Sequence, residues 1–321
     1  MKNGIVIAGT LLVDKINKID KYPQSGQLTQ IKSIQLATGG NVPNVGVDLK
    51  KIDPKLDVFA LGRVGEDGDG NYIIDVLKNS GLNVDFITKS KEEKTSFTDV
   101  MSVMGGERTF FTYAGACAEF GLEDFDFSKI NAKMLHLGYF LLLEKVDNGD
   151  GLKILQKAQE NGIKTSIDLV SENSDRYNLV VPCLKYTDNL ILNELEAGKL
   201  VGIEPTKENI KDIAIALKKL GVKERVVIHL PEFAACLSDN GYTQVASLDL
   251  PKGYIKGATG AGDAFCAGTL YGIYNNFDDK SLLEFASMCA AVSLRTDDAV
   301  SGLMAKDEIC AYCASFSRKS L

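Results

Sequence analysis

Short apolar or β-branched runs alternate along the chain with longer segments whose apolar positions recur every three to four residues. The runs Ile5–Ala8, Val58–Leu61, Met134–Leu137, Thr165–Leu169, Asn189–Leu192 and Val226–Leu230 predict strands. Between them, Tyr72–Asn79, Leu152–Glu160 and Asn209–Leu220 carry helical periodicity; Ser80-Gly81 and Gly221 follow the first and third, where a helix-ending glycine belongs. Strands alternating with helices imply a parallel sheet covered on both faces. The expected fold is therefore a three-layer α/β/α sandwich with a mostly parallel central sheet. Two regions break the rhythm: Leu28–Leu36, and Ser96–Val103 with Thr109–Tyr113 around the turn Gly105-Gly106. These read as hairpin-like strands without helices. They are expected to pair into a small sheet standing off the main body as a lid, from inserted segments at about 14–38 and 95–115 of one domain spanning 1–321.

Composition narrows the function classes. With 321 residues and 45% hydrophobic, the chain has material for a full buried core, which excludes disorder and a disulfide scaffold. Lys and Arg number 36 against 43 Asp and Glu, a net charge of -7 with the signs interspersed, so nucleic acid is not an expected partner. The richest apolar stretch, Leu135–Leu143, stops at Glu144-Lys145, well short of the ~18 residues of a membrane span. The start of the chain reads as a strand rather than a signal peptide, so a cytoplasmic protein without a membrane partner is expected. Cysteines sit singly among apolar neighbours, as reduced core residues do. Cys310 and Cys313 have metal-ligand spacing but no second pair, and read as one helix face.

Two glycine clusters carry candidate chemistry. In Lys256-Gly257-Ala258-Thr259-Gly260-Ala261-Gly262-Asp263-Ala264-Phe265, the glycines precede small and apolar residues, as in a tight loop entering a buried helix. The unpaired amides of Gly260, Ala261 and Gly262 would form an anion hole. Asp263 in that first turn puts a carboxylate beside it, placed to take a proton from a hydroxyl attacking a bound phosphate. A helix-capping Asp after a glycine turn explains the same residues without chemistry. In Gly39-Gly40-Asn41-Val42-Pro43-Asn44, paired glycines again lead into a helix, and Asn44 offers a donor and an acceptor to a polyol, or is part of an ordinary helix start. Arg108 is either an anion contact or a solvated edge charge. Phe110, Phe111 and Tyr113 offer ring faces to a sugar, although strand alternation would send one set inward. His136 and His229 lie in apolar strands and read as structural residues.

Together these clusters resemble the ribokinase-like (PfkB) carbohydrate kinase family, in order along nearly the whole chain. Gly39, Gly40 and Asn44 match its first signature, and Thr259-Gly260-Ala261-Gly262-Asp263 its second. Asp14 matches its substrate-gripping Asp. Arg63-Val64-Gly65-Glu66-Asp67 with Gly70 resembles a structural turn after the second main strand, and Asn193-Glu194-Leu195-Glu196 matches an Asn-x-x-Glu motif. The resemblance implies an ATP- and magnesium-dependent kinase acting on a hydroxymethyl group of a small sugar. It assigns Asp263 as base, Gly260, Ala261 and Gly262 as anion hole, and Asp14, Gly39, Gly40 and Asn44 to the substrate; Arg108, which the resemblance does not cover, joins the substrate residues as the lid's candidate contact. Asn193, His229, Thr259, Gly260 and Gly262 fall to the nucleotide, and Glu196 to magnesium through water. It also implies a homodimer through the lid.

Several positions depart from the family pattern. Gly257-Ala258 replaces Asp-Thr, removing a carboxylate that commonly binds a monovalent cation and weakening the expectation of potassium activation. His229-Leu230-Pro231 replaces the Thr-Leu-Gly nucleotide loop, Ala234 a later glycine, and Cys117 an Asn; Asp168-Leu169-Val170-Ser171-Glu172 lacks the usual Asn and Arg. Lys15, Lys94 and Arg108 are too scattered to form a phosphate clamp, so an unphosphorylated sugar of the ribose, fructose or 2-keto-3-deoxygluconate type is expected. A ribonucleoside kinase is the nearest alternative, and a non-catalytic sugar- or nucleotide-binding regulator a further one. A dinucleotide oxidoreductase is disfavoured, because Ile7-Ala8-Gly9-Thr10-Leu11-Leu12-Val13-Asp14 lacks the required glycine spacing.

Overall fold

The computed structural model describes residues 2–103 and 108–320, so the Gly105-Gly106 turn lies outside the described residues. The chain runs β1 (Ile5–Ala8), β2 (Leu12–Ile19), β3 (Ile31–Gly39), α1 (Asn41–Ile52), β4 (Val58–Gly65), α2 (Gly68–Asn79), β5 (Asn83–Ser90), β6 (Ser96–Val103), β7 (Arg108–Tyr113) and α3 (Ala116–Glu119). It continues through β8 (Met134–Phe140), α4 (Gly151–Glu160), β9 (Lys164–Leu169), β10 (Asn189–Asn193), α5 (Glu194–Val201), α6 (Ile210–Lys219), β11 (Arg225–His229), β12 (Phe233–Ser238), β13 (Gly241–Ala246), α7 (Ala261–Tyr274), α8 (Asp279–Ser293) and α9 (Lys306–Cys313).

Nine strands form the main sheet in the order β13-β12-β11-β10-β9-β8-β1-β4-β5. The pairs from β5 to β11 are parallel, and β12 and β13 add an antiparallel edge. Every predicted strand and helix is present; β4 and β8 are longer than their apolar runs, and the strand expected over Leu28–Leu36 runs instead from Ile31 to Gly39. Alternation in β1 sends Ile5 and Ile7 into one apolar layer, with α1, α7 and α8, and Val6 and Ala8 into the other, with α4 and α6. Each fully buried aliphatic chain stabilises by ~1.5–3 kcal/mol. Helix α7 is buried continuously from Asp263 to Ile273, which its small residues allow. A Cβ on Gly268 would approach Ala286 Cα to 2.8 Å, so glycine lets α7 and α8 cross closely.

The second sheet has four strands, β3-β2-β6-β7. It is not built from hairpins alone: β2 pairs antiparallel with β3 but parallel with β6, because β6 arrives through the main sheet after β5. The turn from Gly65 to Gly70 anchors it. Asp67 caps α2 by accepting from the Gly70 amide at 2.9 Å, and also accepts from the Thr95 amide at 2.8 Å, fixing the chain just before β6. The expected inward set on β7 is absent. All six residues are exposed, Phe110 at 62% and Phe111 at 58%, because β7 is an edge strand with no layer on either face.

At the start of α8, Asp278 caps the helix through the Ser281 amide at 2.9 Å, while Asp279 is buried against Arg225 and Ser238. The described cysteines are all unbridged, and Cys310 and Cys313 sit on α9 as a helix face. No helix among the described residues is long and apolar enough to cross a membrane.

Candidate active site

A cavity of about 300 Å³ opens at the carboxyl ends of β8, β9, β10 and β11, against the start of α7. Parallel sheets converge loops and helix N-termini at that edge. Its walls include Tyr139, Asp168, Asn193, Glu196, His229, Gly260, Gly262, Asp263 and Cys266.

Asp263 sits in the first turn of α7 and is 6% exposed. Its Oδ2 accepts from Asn44 Nδ2 at 2.9 Å and both its oxygens accept from the Tyr139 hydroxyl, at 2.8 and 2.9 Å. Burial first, then the nearby Asp168 charge, raise its carboxyl to about 7, while the Tyr139 and Asn44 hydrogen bonds oppose the rise. A buried carboxylate poised near neutrality suits a general base. Tyr139, which sequence reasoning missed, is held with φ of 60° at the end of β8, and its amide donates to Asp168 Oδ1 at 2.6 Å. No motif marks it. Only Gly138 beside it gives a signal, since a Cβ there would meet Asn41 Nδ2 at 2.1 Å.

The two glycine clusters meet through Asn44, which stands one turn into α1. Gly40 caps that helix with φ of 93°, a conformation that favours glycine. A Cβ on Gly39 would lie 2.5 Å from Asp14 Oδ2, so the glycine gives the Asp14 carboxylate its place on β2. Burial raises Asp14 to about 6. Arg108 pairs with Ser102, which pairs with Lys18, on the same face of the small sheet as Asp14 but four residues further along. At ~3.3 Å per residue that is about 13 Å along the strands, with two strand spacings of ~4.8 Å across the sheet besides, and Arg108 joins no other site residue. Lys15 is engaged with Asp69 at 2.7 Å.

The loop before α7 departs from the expected anion hole at one amide. Gly260 adopts φ of 80°, closing a turn in which the Ala261 amide donates to the Ala258 carbonyl at 3.2 Å. That amide is spent inside the turn, while Gly260 and Gly262 line the cavity. Thr259 is exposed and outside the lining. Across the cavity, Asn193 and Glu196 form a reciprocal capping box on α5. Glu196 also accepts from the Ser171 hydroxyl at 2.8 Å, and burial raises it to about 7. His229 packs against Phe265 with ring centroids 4.7 Å apart; desolvation lowers it to about 4, so it is neutral at pH 7. Cys117, in place of the family's Asn, packs its sulfur between the Leu11 amide and carbonyl.

His136 is hydrogen-bonded as a structural histidine would be, with Nδ1 3.0 Å from Ser166 Oγ and Nε2 3.3 Å from Asp168 Oδ2. Asp168 and Cys266 complete a cluster there that no motif marks.

Sheet, loop and carboxylate define a class: an α/β protein that presents a glycine turn, a helix N-terminus and a buried acid at the carboxyl edge of its strands. The chain belongs to the pfkB family of carbohydrate kinases, whose model matches residues 2–305. It is 23% identical over 300 residues to a ribokinase of Arabidopsis thaliana, covering 92% of this chain and 77% of that one. It is 24% identical over 304 residues to a 5-dehydro-2-deoxygluconokinase of Clostridium perfringens, covering 91% and 87%. The solved Arabidopsis thaliana ribokinase complexed with ribose and ATP superposes with a TM-score of 0.84 at 22% identity, over 99% of this chain and 100% of that one. The fold is thus ribokinase-like, and the protein is a sugar kinase.

Proposed function

We propose that this protein transfers the γ-phosphoryl group of ATP to a hydroxymethyl group of a small unphosphorylated sugar. The observation that carries the reading is the hydrogen bond between Asn44 and Asp263, which joins the polyol-facing end of α1 to the acid beside the anion loop. Asp14 and Asn44 orient the sugar. Asp263 accepts the hydroxyl proton as the oxygen attacks phosphorus. Backbone amides at Gly260 and Gly262 receive charge on the phosphoryl oxygens. Asn193 and His229, which line the same cavity, contact the nucleotide in this reading.

The Asn193–Glu196 wall suits hydrated magnesium, since its donors are hard oxygens and its carboxylate is already ordered by hydrogen bonds. When bound, the ion neutralises charge on the nucleotide phosphates.

An unphosphorylated sugar is favoured because Lys15 is paired with Asp69 and Arg108 stands far from Asp14. The small sheet, at about 14–38 and 95–115 of a single 1–321 domain, closes over the sugar and excludes water. Its exposed Ile34, Phe110 and Phe111 support a homodimer through that sheet.

The test is ADP release with ATP and magnesium against pentoses, hexoses, keto-sugar acids, nucleosides and sugar phosphates. Turnover on unphosphorylated sugars is expected; turnover confined to sugar phosphates or nucleosides would overturn the substrate assignment.

A further inference from the structure

His136 on β8, Asp168 on β9 and Cys266 on α7 bring one nitrogen, one oxygen and one sulfur to a common point, all within 4.8 Å of one another. Nε2 of His136 is 3.3 Å from Asp168 Oδ2 and 3.6 Å from Cys266 Sγ. We infer that these three side chains form a binding site for one borderline-soft divalent cation of the zinc class, with a fourth position open to the cavity.

The dimensions support this. With zinc bonds of ~2.0–2.1 Å to nitrogen, ~2.0–2.2 Å to oxygen and ~2.3 Å to sulfur, tetrahedral edges are about 3.3 Å for nitrogen–oxygen and about 3.5 Å for nitrogen–sulfur. Both of these edges match, and the third, between Asp168 and Cys266, lies within 4.8 Å. The surroundings are those of an oriented ligand set. Ser166 Oγ, 3.0 Å from Nδ1, holds the second ring nitrogen of His136. Asp168 gives its other oxygen, Oδ1, to the Tyr139 amide at 2.6 Å, which fixes the carboxylate and leaves Oδ2 toward the cluster. Asp168 and Cys266 also line the cavity, which gives the cluster an entry path for the ion and for a fourth ligand such as water.

Charge balances as well. On binding, the Cys266 thiol releases one proton to solvent, and the resulting thiolate with the Asp168 carboxylate offsets the two charges of the dication. Sulfur and imidazole are poor donors to magnesium, so this site is distinct in preference from the oxygen-rich Asn193–Glu196 wall. The inference stands on three side chains and does not require the kinase reading.

The experiment is a titration of the full-length protein, stripped of metal and kept reduced, with Co²⁺ in the absence of sugar and nucleotide. One equivalent should produce the visible bands of tetrahedral cobalt and a near-ultraviolet thiolate-to-cobalt band, both displaced by Zn²⁺. Cys266→Ala should abolish the thiolate band. Ser166→Ala, which keeps all three ligands, should weaken Co²⁺ binding by about 10–100-fold. The double variant Cys310→Ser/Cys313→Ser should leave the spectrum intact. Absence of the band at saturating Co²⁺, its survival in Cys266→Ala, or its loss in the α9 double variant would each overturn the assignment. Because the readout is spectroscopic, failure here leaves the phosphoryl-transfer assay unaffected.

Discussion

Replacing Asp263 with asparagine removes a buried ionisable group without changing the side-chain shape, and the consequence for stability depends on pH with a definite sign. Burial and the Asp168 charge raise the folded-state carboxyl from its ordinary 3.8 to about 7. Between those values the folded chain holds a proton that the unfolded chain has lost. Wild-type stability associated with Asp263 is therefore fully present below pH 3.8 and is lost as pH rises through about 7. About three pH units at 1.36 kcal/mol per unit set an upper bound of about 4 kcal/mol. Asparagine escapes this loss, and the Tyr139 hydroxyl and Asn44 amide can still partner its oxygen. The variant is thus expected to be more stable than wild type by several kcal/mol at pH 8, with the gap shrinking towards zero near pH 4. Urea unfolding of both proteins at the two pH values measures it. Asp14 and Glu196, also raised by burial, titrate in both proteins and cancel in the difference. A variant destabilised equally at both pH values would refute a raised, desolvated Asp263.

Asp14→Ala should raise the sugar KM about 10–100-fold with little change in the KM for ATP; an unchanged sugar KM would remove Asp14 from the site. Tyr139→Phe deletes a hydrogen bond that lowers the Asp263 carboxyl, so the low-pH limb of kcat/KM should move up by ~0.5–1 pH unit, read from a pH–rate profile. Gly260→Ala forces a side chain into φ of 80° with its Cβ 2.4 Å from the Ala299 carbonyl oxygen, and should lose ~1–3 kcal/mol of stability in denaturant unfolding while raising the ATP KM. Light scattering should give a dimer for wild type and a monomer for Phe110→Glu/Phe111→Glu; a wild-type monomer would end the dimer proposal.

The main sheet was legible because its parallel strands are buried on both faces and appear as continuous apolar runs, as in Ile5–Ala8. Strands β12 and β13 were not legible because Phe233–Ser238, built on Ala, Cys and Leu, has no β-branched residue to mark it as a strand, while Gly241–Ala246 is largely half-exposed at the sheet edge. Strand β2 was hidden by its mixture of Asp, Lys and Asn in a sheet with little covering. The glycine turn before α7 and the helix start around Asn44 were legible because glycine turns need particular residues at particular spacings. Tyr139, Asp168 and Cys266 come from three distant segments and meet only through the register of β8 with β9 and the entry of α7. Nothing local in the sequence encodes that meeting. The spent Ala261 amide was equally invisible, since it follows from the turn that Gly260 closes.

Removal of the attacking hydroxyl's proton by Asp263 is measured by turnover of wild type and Asp263→Asn on the best sugar, with ATP affinity determined in parallel by calorimetry. Loss of a general base predicts kcat lower by ~10²–10⁴-fold with ATP affinity within about threefold of wild type. A variant that retains wild-type kcat while folding and binding ATP normally would contradict the account.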